Sequence, residues 1–502
     1  MSIAYAIIYI SLAFNIFIFC YIGEVVTEQC KQVGETAYMT NWYRLPHKTA
    51  RDLILIISRS SNVIKLTAGK LVHLSIATFG DVSIQSCIYF FRTGRLCETI
   101  MSDPKRVTDN ENINDYNIQF NRWSLISLGA WPQISAPNRM KKLAVLMQIF
   151  IYWTAMTIVM IPFMLYMLFE KKDFKTKLKN LIPLINRIMG SINYWILLSR
   201  NKDIKRCIQH MEADWKLIQR NVDREVMMQY AKIGRFITTL FAMFIHSSTY
   251  IFNVVKAMET TTVIVDNKTI TIHPLTCPAY SKILDVRPSP AYEIMRGVQF
   301  FLAFVIASST ATVCGLAAVF AMHACGQLNV MHTWLNELAE EKKNHLANKK
   351  LAAVVKHHWR VLGFVQQIES IMHKACLGEV MGCTICMCLF GYYIIMTWNA
   401  FNLVKIFSYF FGYITMSFNI FVFCYIGEIL TEECKKVGEI VYMTNWYKLP
   451  HKTALGLILI IMQSSHIIKI TAGKLVTLSI ATFGDIMKTS TAYMNILRTM
   501  AT

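Results

Sequence analysis

The chain has 502 residues, of which 54% are hydrophobic and 16% charged, with a mean hydropathy of +0.38. Soluble domains carry about 25% charged residues, so this chain lacks the polar surface of a cytosolic enzyme, a coiled coil or a disordered segment. It reads as a polytopic membrane protein. The net charge of +20 comes from basic residues set between apolar runs, which favours cytoplasmic loops over a nucleic-acid surface.

The first feature in chain order is a repeat. Residues 14–81 recur at 418–485 with a constant offset of 404 and no gap, and 52 of the 68 positions are identical. Ancient structural repeats in transporters keep only weak sequence symmetry, so this one reads as a recent duplication. Copy one diverges after Asp81, and 101–116 (MSDPKRVTDNENINDY) has the turn formers of a linker. The expected organisation is 1–100 as a partial repeat of the C-terminal two-span unit, a gene-fusion remnant; 101–116 as a polar linker; and 117–502 as a seven-span body.

Within the body, apolar runs long enough to cross about 30 Å of hydrocarbon fall at about 144–169, 181–199, 234–255, 297–323, 377–397, 407–427 and 465–500. The predicted fold class is therefore all-α, a polytopic membrane bundle. Lys and Arg concentrate before the first span and in the second-to-third and fourth-to-fifth connections, which puts the N-terminus in the cytoplasm. The loop with Lys171, Lys172, Lys175, Lys177 and Lys179 dissents. The sequon Asn267-Lys268-Thr269 falls in the third-to-fourth loop, outside in this topology, and makes Asn267 the candidate glycosylation site. Copy one matches spans six and seven and would leave 92–116 outside, whereas the body's first span must start inside. That conflict supports a fusion or a non-inserting fragment.

Most of the 14 cysteines lie in apolar segments and form no secreted disulfide framework. Cys383, Cys386 and Cys388, inside the apolar run 381–395, read as buried thiols rather than metal ligands. No catalytic motif, Walker loop or phosphate-binding glycine run is present, so no enzyme and no cofactor are expected.

Seven spans invite comparison with G-protein-coupled receptors, but the D-R-Y and N-P-x-x-Y motifs are absent and the orientation is inverted. Instead 117–502 resembles an insect odorant receptor of the ant, bee and wasp kind. The resemblance is carried by 117–132 (NIQFNRWSLISLGAWP), by His357-His358-Trp359-Arg360-Val361-Leu362-Gly363-Phe364 with Ile368-Glu369, and by the tail from Thr471-Ala472-Gly473-Lys474 through Ala492-Tyr493 to Leu497-Arg498. It implies a ligand-gated, non-selective cation channel in the plasma membrane of a sensory dendrite. There a tuning subunit assembles with the odorant co-receptor (Orco) into a tetramer, the last helix lines the pore, and small volatile ligands bind between spans two, three, four and six.

On the residues' own physics, a helix over about 467–500 would run about 50 Å, with Lys469 and Lys474 in its cytoplasmic half. Asp485, Thr489, Ala492, Tyr493, Ile496 and Met500 recur at spacings of three and four on one face. Such a polar-and-apolar strip suits a conduit closed by dewetting; packing on span five or six is the alternative, and Asp485 could simply pair with Lys488. The resemblance puts Ile496 and Met500 at the gate, with Thr489 and Tyr493 along the pore. An apolar, aromatic pocket nominates Tyr194 and Trp195; Phe241, Phe244 and Tyr250; and Phe300, Phe301 and Phe304, with Thr310 as a polar contact. Each of these aromatics could equally face lipid or a neighbouring helix. Residues 326–338 carry Leu328, Met331, Leu335 and Leu338 as one stripe for cytoplasmic packing or subunit assembly, and His357 and His358 read as a solvated face. The rival functions are a gustatory-type receptor, a secondary transporter and a non-functional fusion product.

Overall fold

The computed structural model describes residues 22, 26, 29, 67–68, 72–73, 110–131, 139–170, 174–259, 261–265, 268–272, 274–280, 286, 290–340, 344–398, 402–465 and 468–501. Two compact units, Met1–Asp103 and Pro104–Thr502, divide the chain. The first contains strands β1 (Thr67–Ala68) and β2 (Val72–His73). The second contains α1 (Asn110–Ser127), α2 (Arg139–Phe169), α3 (Phe174–Ser199), α4 (Asn201–Leu217) and α5 (Asn221–Met258), then the hairpin β3 (Thr261–Val265) and β4 (Lys268–Ile272). It continues with α6 (Ala291–Ala339), α7 (Asn344–Trp398), α8 (Leu403–Met443), α9 (His451–Ser465), the hairpin β5 (Thr471–Ala472) and β6 (Val476–Thr477), and α10 (Ile480–Ala501).

α6 is the axis of the bundle. Its sequence ASSTATVCGLAAVFAMHACG is dominated by small residues, which let neighbouring backbones approach closely. Every residue from Val305 to Leu328 is buried, with α3, α5, α7 and α8 packed around it. A Cβ at Gly315 would come within 2.6 Å of Thr238 on α5. α2 does the opposite and shows Phe150 (65% exposed) and Ile161 (57%) to its surroundings, as a lipid-facing helix should. Six described helices, α2, α3 and α5 to α8, are long and apolar enough to cross a membrane.

Two expected boundaries move. α1 starts at Asn110, so 110–116 are helical rather than linker; after Ser127 it is closed by Gly129, whose φ of +68° makes a turn with Ala130 N–H donating to Leu125 O at 2.8 Å. The last helix starts at Ile480 rather than 467, so its 22 residues run about 33 Å instead of about 50 Å. Residues 470–478 instead form a hairpin. Ile470, Thr471, Val476 and Thr477 are β-branched, and Gly473 and Lys474 turn the chain with φ of 63° and 62°. The same hairpin recurs in the first unit at the repeat offset: Thr67 faces His73 as Thr471 faces Thr477.

The hairpin is anchored by residues that carried the resemblance. Glu369 on α7 accepts from Thr471 N–H at 2.9 Å and from the Thr471 hydroxyl. Gly473 N–H donates to His373 O at 2.7 Å. Nearby, Asp214 on α4 pairs with Arg360 at 2.7 Å and His323 at 3.0 Å, and the buried Phe364 ring stacks on His210. Leu328, Met331, Leu335 and Leu338 are all buried, as their stripe requires. His357 and His358 are not on a solvated face. His358 is 5% exposed, and His357 Nε2 lies 3.1 Å from Gln327 O with its ring against Trp334. α6 and α7 continue past their apolar spans as helices packed on one another, while Trp359 of α7 stays exposed.

Candidate ligand cavity and conduit face

At the other end of the bundle the helices splay around a cavity. It is lined from α3 (Ile182, Arg187), α5 (Ile245, Phe252), α6 (Ala303, Ile306) and α8 (Gly412, Met416), with Phe390 of α7 closing one wall. These are the expected spans two, three, four and six, joined by one residue of span five. About 610 Å³ of non-atom space lies within it, open mouth included. Gly412 shapes the wall: a Cβ there would sit 2.7 Å from the Phe390 ring. Asn253 holds part of the polar rim, its Oδ1 accepting from the Thr276 hydroxyl at 3.1 Å. A second cavity shares Ile182, Pro183, Phe252 and Thr276 with the first and holds Lys179, Lys256, Lys405 and Glu259. Glu259 ion-pairs with all three lysines, at 3.4, 2.7 and 3.4 Å. Lys179 comes from the loop that dissented from the charge rule, and this carboxylate partly neutralises it.

None of the nine ligand residues expected from the sequence lines this main cavity. Tyr194 is 1% exposed, donates to Leu128 O at 3.2 Å and packs against Tyr152 and Trp153. Trp195, Tyr250, Phe301 and Phe304 are on the bundle's outside, and Phe300 lines only a small side cavity. Phe241 and Phe244 stack on Phe418. Thr310 accepts from Asn193 Nδ2 at 3.1 Å in a buried network where Glu379 takes hydrogen bonds from Asn193 and Asn419. The cavity lies between the expected helices, on faces other than those that carry these residues. Arg187 and Glu379 escaped the sequence reading, although each is the lone charge of its apolar run, 181–199 and 377–397, a standing pointer to a functional site.

α10 packs on α7 and α8 through one side, where Phe483 and Ser490 are buried and Met494 lies against Gly391. The face expected to line a conduit is open: Asp485, Thr489, Ala492, Tyr493 and Ile496 are all exposed. It therefore does not pack on the fifth or sixth span within this chain. Asp485 reaches Lys488 at 3.4 Å. The Met500 side chain and Asn267 lie outside the described residues. Cys383, Cys386 and Cys388 are buried free thiols, as expected.

The family described as 7tm Odorant receptor matches residues 1–85 and 173–491, and the chain belongs to that family. It is 24% identical to Odorant receptor 82a of Drosophila melanogaster over 212 residues, 42% of this chain and 54% of that one. With Odorant receptor Or2 of Anopheles gambiae it shares 20% over 313 residues, 61% of this chain and 79% of that one. The chain spans about half the length of the first of these relatives. The solved insect olfactory receptor OR5 from Machilis hrabei, in complex with eugenol, superposes with a TM-score of 0.63 at 11% identity, over 78% of this chain and all of that one. The likeness establishes the fold: an all-α, multi-pass membrane bundle of an insect odorant receptor. The relatives are receptors, not enzymes.

Proposed function

We propose that this chain is the tuning subunit of an odorant-gated, non-selective cation channel. It would sit in the dendritic plasma membrane of a sensory neuron, N-terminus inside, in a heterotetramer with the odorant co-receptor. The observation that carries this reading is the pairing of a cavity between α3, α5, α6 and α8 with an unpartnered face on α10. A mixed polar and apolar face left open in one chain suits a conduit shared with neighbouring subunits. Thr489, Tyr493, Ile496 and Met500 line it, and Ile496 and Met500 gate it. The apolar face of α9, with Leu455, Ile458, Leu459 and Met462 exposed, offers a surface for subunit assembly. Residues 1–103 are a passenger from a partial duplication, and Asn267 is glycosylated on the outer side.

The test is ligand-evoked current from the full chain and from 104–502 behind a start methionine, each with and without the co-receptor. Current should require the co-receptor, appear with both forms, and change in size or rectification with Ile496→Ala at unchanged surface delivery. Current that persists without the co-receptor would favour a self-assembling gustatory-type channel. Substrate uptake without current would favour a transporter.

A further inference from the structure

The cavity contains a charge that its own walls do not neutralise. Arg187 is 5% exposed and lines the cavity among Ile245, Ala303, Ile306 and Met416. Its Nη2 donates to Gln299 O at 3.2 Å, and the Cys277 thiol lies against it. Its Nη1 is buried without a hydrogen-bond partner. No carboxylate lines this cavity, and among the described residues none forms an ion pair with Arg187. A guanidinium keeps its proton and presents five donors in a planar fork suited to a carboxylate. A charge buried in a bundle normally finds a counter-charge or backbone carbonyls; here one carbonyl is supplied and one arm of the fork is left free. The adjoining cavity sets three lysines against the single carboxylate of Glu259, so the approach to Arg187 is net positive and attracts anions.

We propose that the ligand of this receptor is a small organic acid, with its carboxylate on Arg187 and its alkyl tail along Ile245, Ala303, Ile306 and Met416. This deepens the ligand-cavity reading above and rests on it. Arg187 recognises the head group, while the apolar wall sets chain length. A neutral odorant of equal size fills the same wall but leaves the free Nη1 with a weaker acceptor.

The experiment compares straight-chain carboxylates of two to twelve carbons with their methyl esters and matching alcohols. Currents are recorded at neutral pH from the full chain with co-receptor, and melting temperature is measured on the purified full chain in nanodiscs. A charge-assisted hydrogen bond favours the acid by about tenfold or more in half-activating concentration. Arg187→Met removes that preference, bringing acid and ester to equal half-activating concentrations, and Arg187→Lys keeps most of it. Esters or alcohols at least as potent as the acids, or an acid preference that survives Arg187→Met, would overturn the proposal. Stabilisation by an acid that depends on Arg187, without current, would keep the site and refute the channel reading. No stabilisation by any acid, while an ester stabilises, would refute the site alone; silence and no stabilisation from every compound would refute both.

Discussion

The hairpin end and the cavity end of the bundle treat buried charge in opposite ways. At the hairpin end Glu369 has both carboxylate oxygens engaged by Thr471, and Asp214 is met by Arg360 and two histidines. At the cavity end Arg187 has one nitrogen satisfied and one without a partner. A satisfied network fixes one arrangement of its elements, because each group loses its partners if the chain shifts. A group left short of partners in an open cavity gains them when something binds. The difference separates a region built to hold the last helix in place from one built to respond.

The largest way to test that contrast is to break the anchor. Glu369→Ala removes two hydrogen bonds to a charged acceptor, worth about 3 kcal/mol together, and releases the hairpin that sets the start of α10. The expected result is loss of surface delivery and of current, read by surface labelling and by melting of the detergent-solubilised protein. Glu369→Gln, which keeps an acceptor for Thr471, should recover part of both. Normal current from Glu369→Ala would mean that the hairpin does not position α10.

A smaller effect sharpens the comparison between the two copies of the repeat. Gly473 has φ +63° and a Cβ there would sit 2.6 Å from Leu377. Gly473→Ala should therefore cost about 2 kcal/mol from backbone strain and overlap together. Gly69→Ala changes the matching glycine of copy one and should leave current and melting temperature unchanged if residues 1–103 are a passenger. Equal losses from both variants would give the first unit a structural part in the receptor.

At the cavity end, Gly412→Ala puts a methyl group 2.7 Å from the Phe390 ring, which lines the cavity and must shift to admit it. A shift of about tenfold in half-activating concentration is expected for long-chain ligands and little change for short ones, since overpacking costs about 1–3 kcal/mol. A dose–response series over chain length checks it. A uniform shift at all lengths would place the ligand away from Phe390.

How much of this was legible in the sequence divides along the same line. The spans on α2, α3 and α5 to α8 follow from apolar length, the stripe Leu328–Met331–Leu335–Leu338 from its spacing, and Glu369 and Thr471 belong to the motifs that carry the resemblance. The cavity lining did not. On α6, Phe300, Phe301 and Phe304 lie outward while Ala303 and Ile306 face the cavity. Lipid rewards an aromatic ring as well as a pocket does, so hydrophobicity carries no phase information around a membrane helix. Polar residues do carry it, which is why Arg187 was the better guide. The hairpin differs from the expected helix because the turn at Gly473-Lys474 and the β-branched residues beside it lie between apolar stretches that a helix could have joined.

The smallest effect concerns pH at the hairpin end. Burial holds His358 down to about 4, helped by the neighbouring His357, and burial also lowers His357, His332 and His210 below the usual histidine range. Each is lower in the folded than in the unfolded chain, so folding favours the neutral ring. The stability is complete above the unfolded value near 6.5 and is lost progressively as pH falls from there toward about 4. For His358 alone, going from pH 7.5 to 5.5 should cost about 1 kcal/mol. His358→Gln should flatten that part of the pH–stability curve while leaving the acid preference at Arg187 intact, because the two ends are separate networks. A melting curve that is level between pH 7.5 and 5.5 in the unsubstituted protein would show that water reaches His358, and that this end is less tightly closed than its packing indicates.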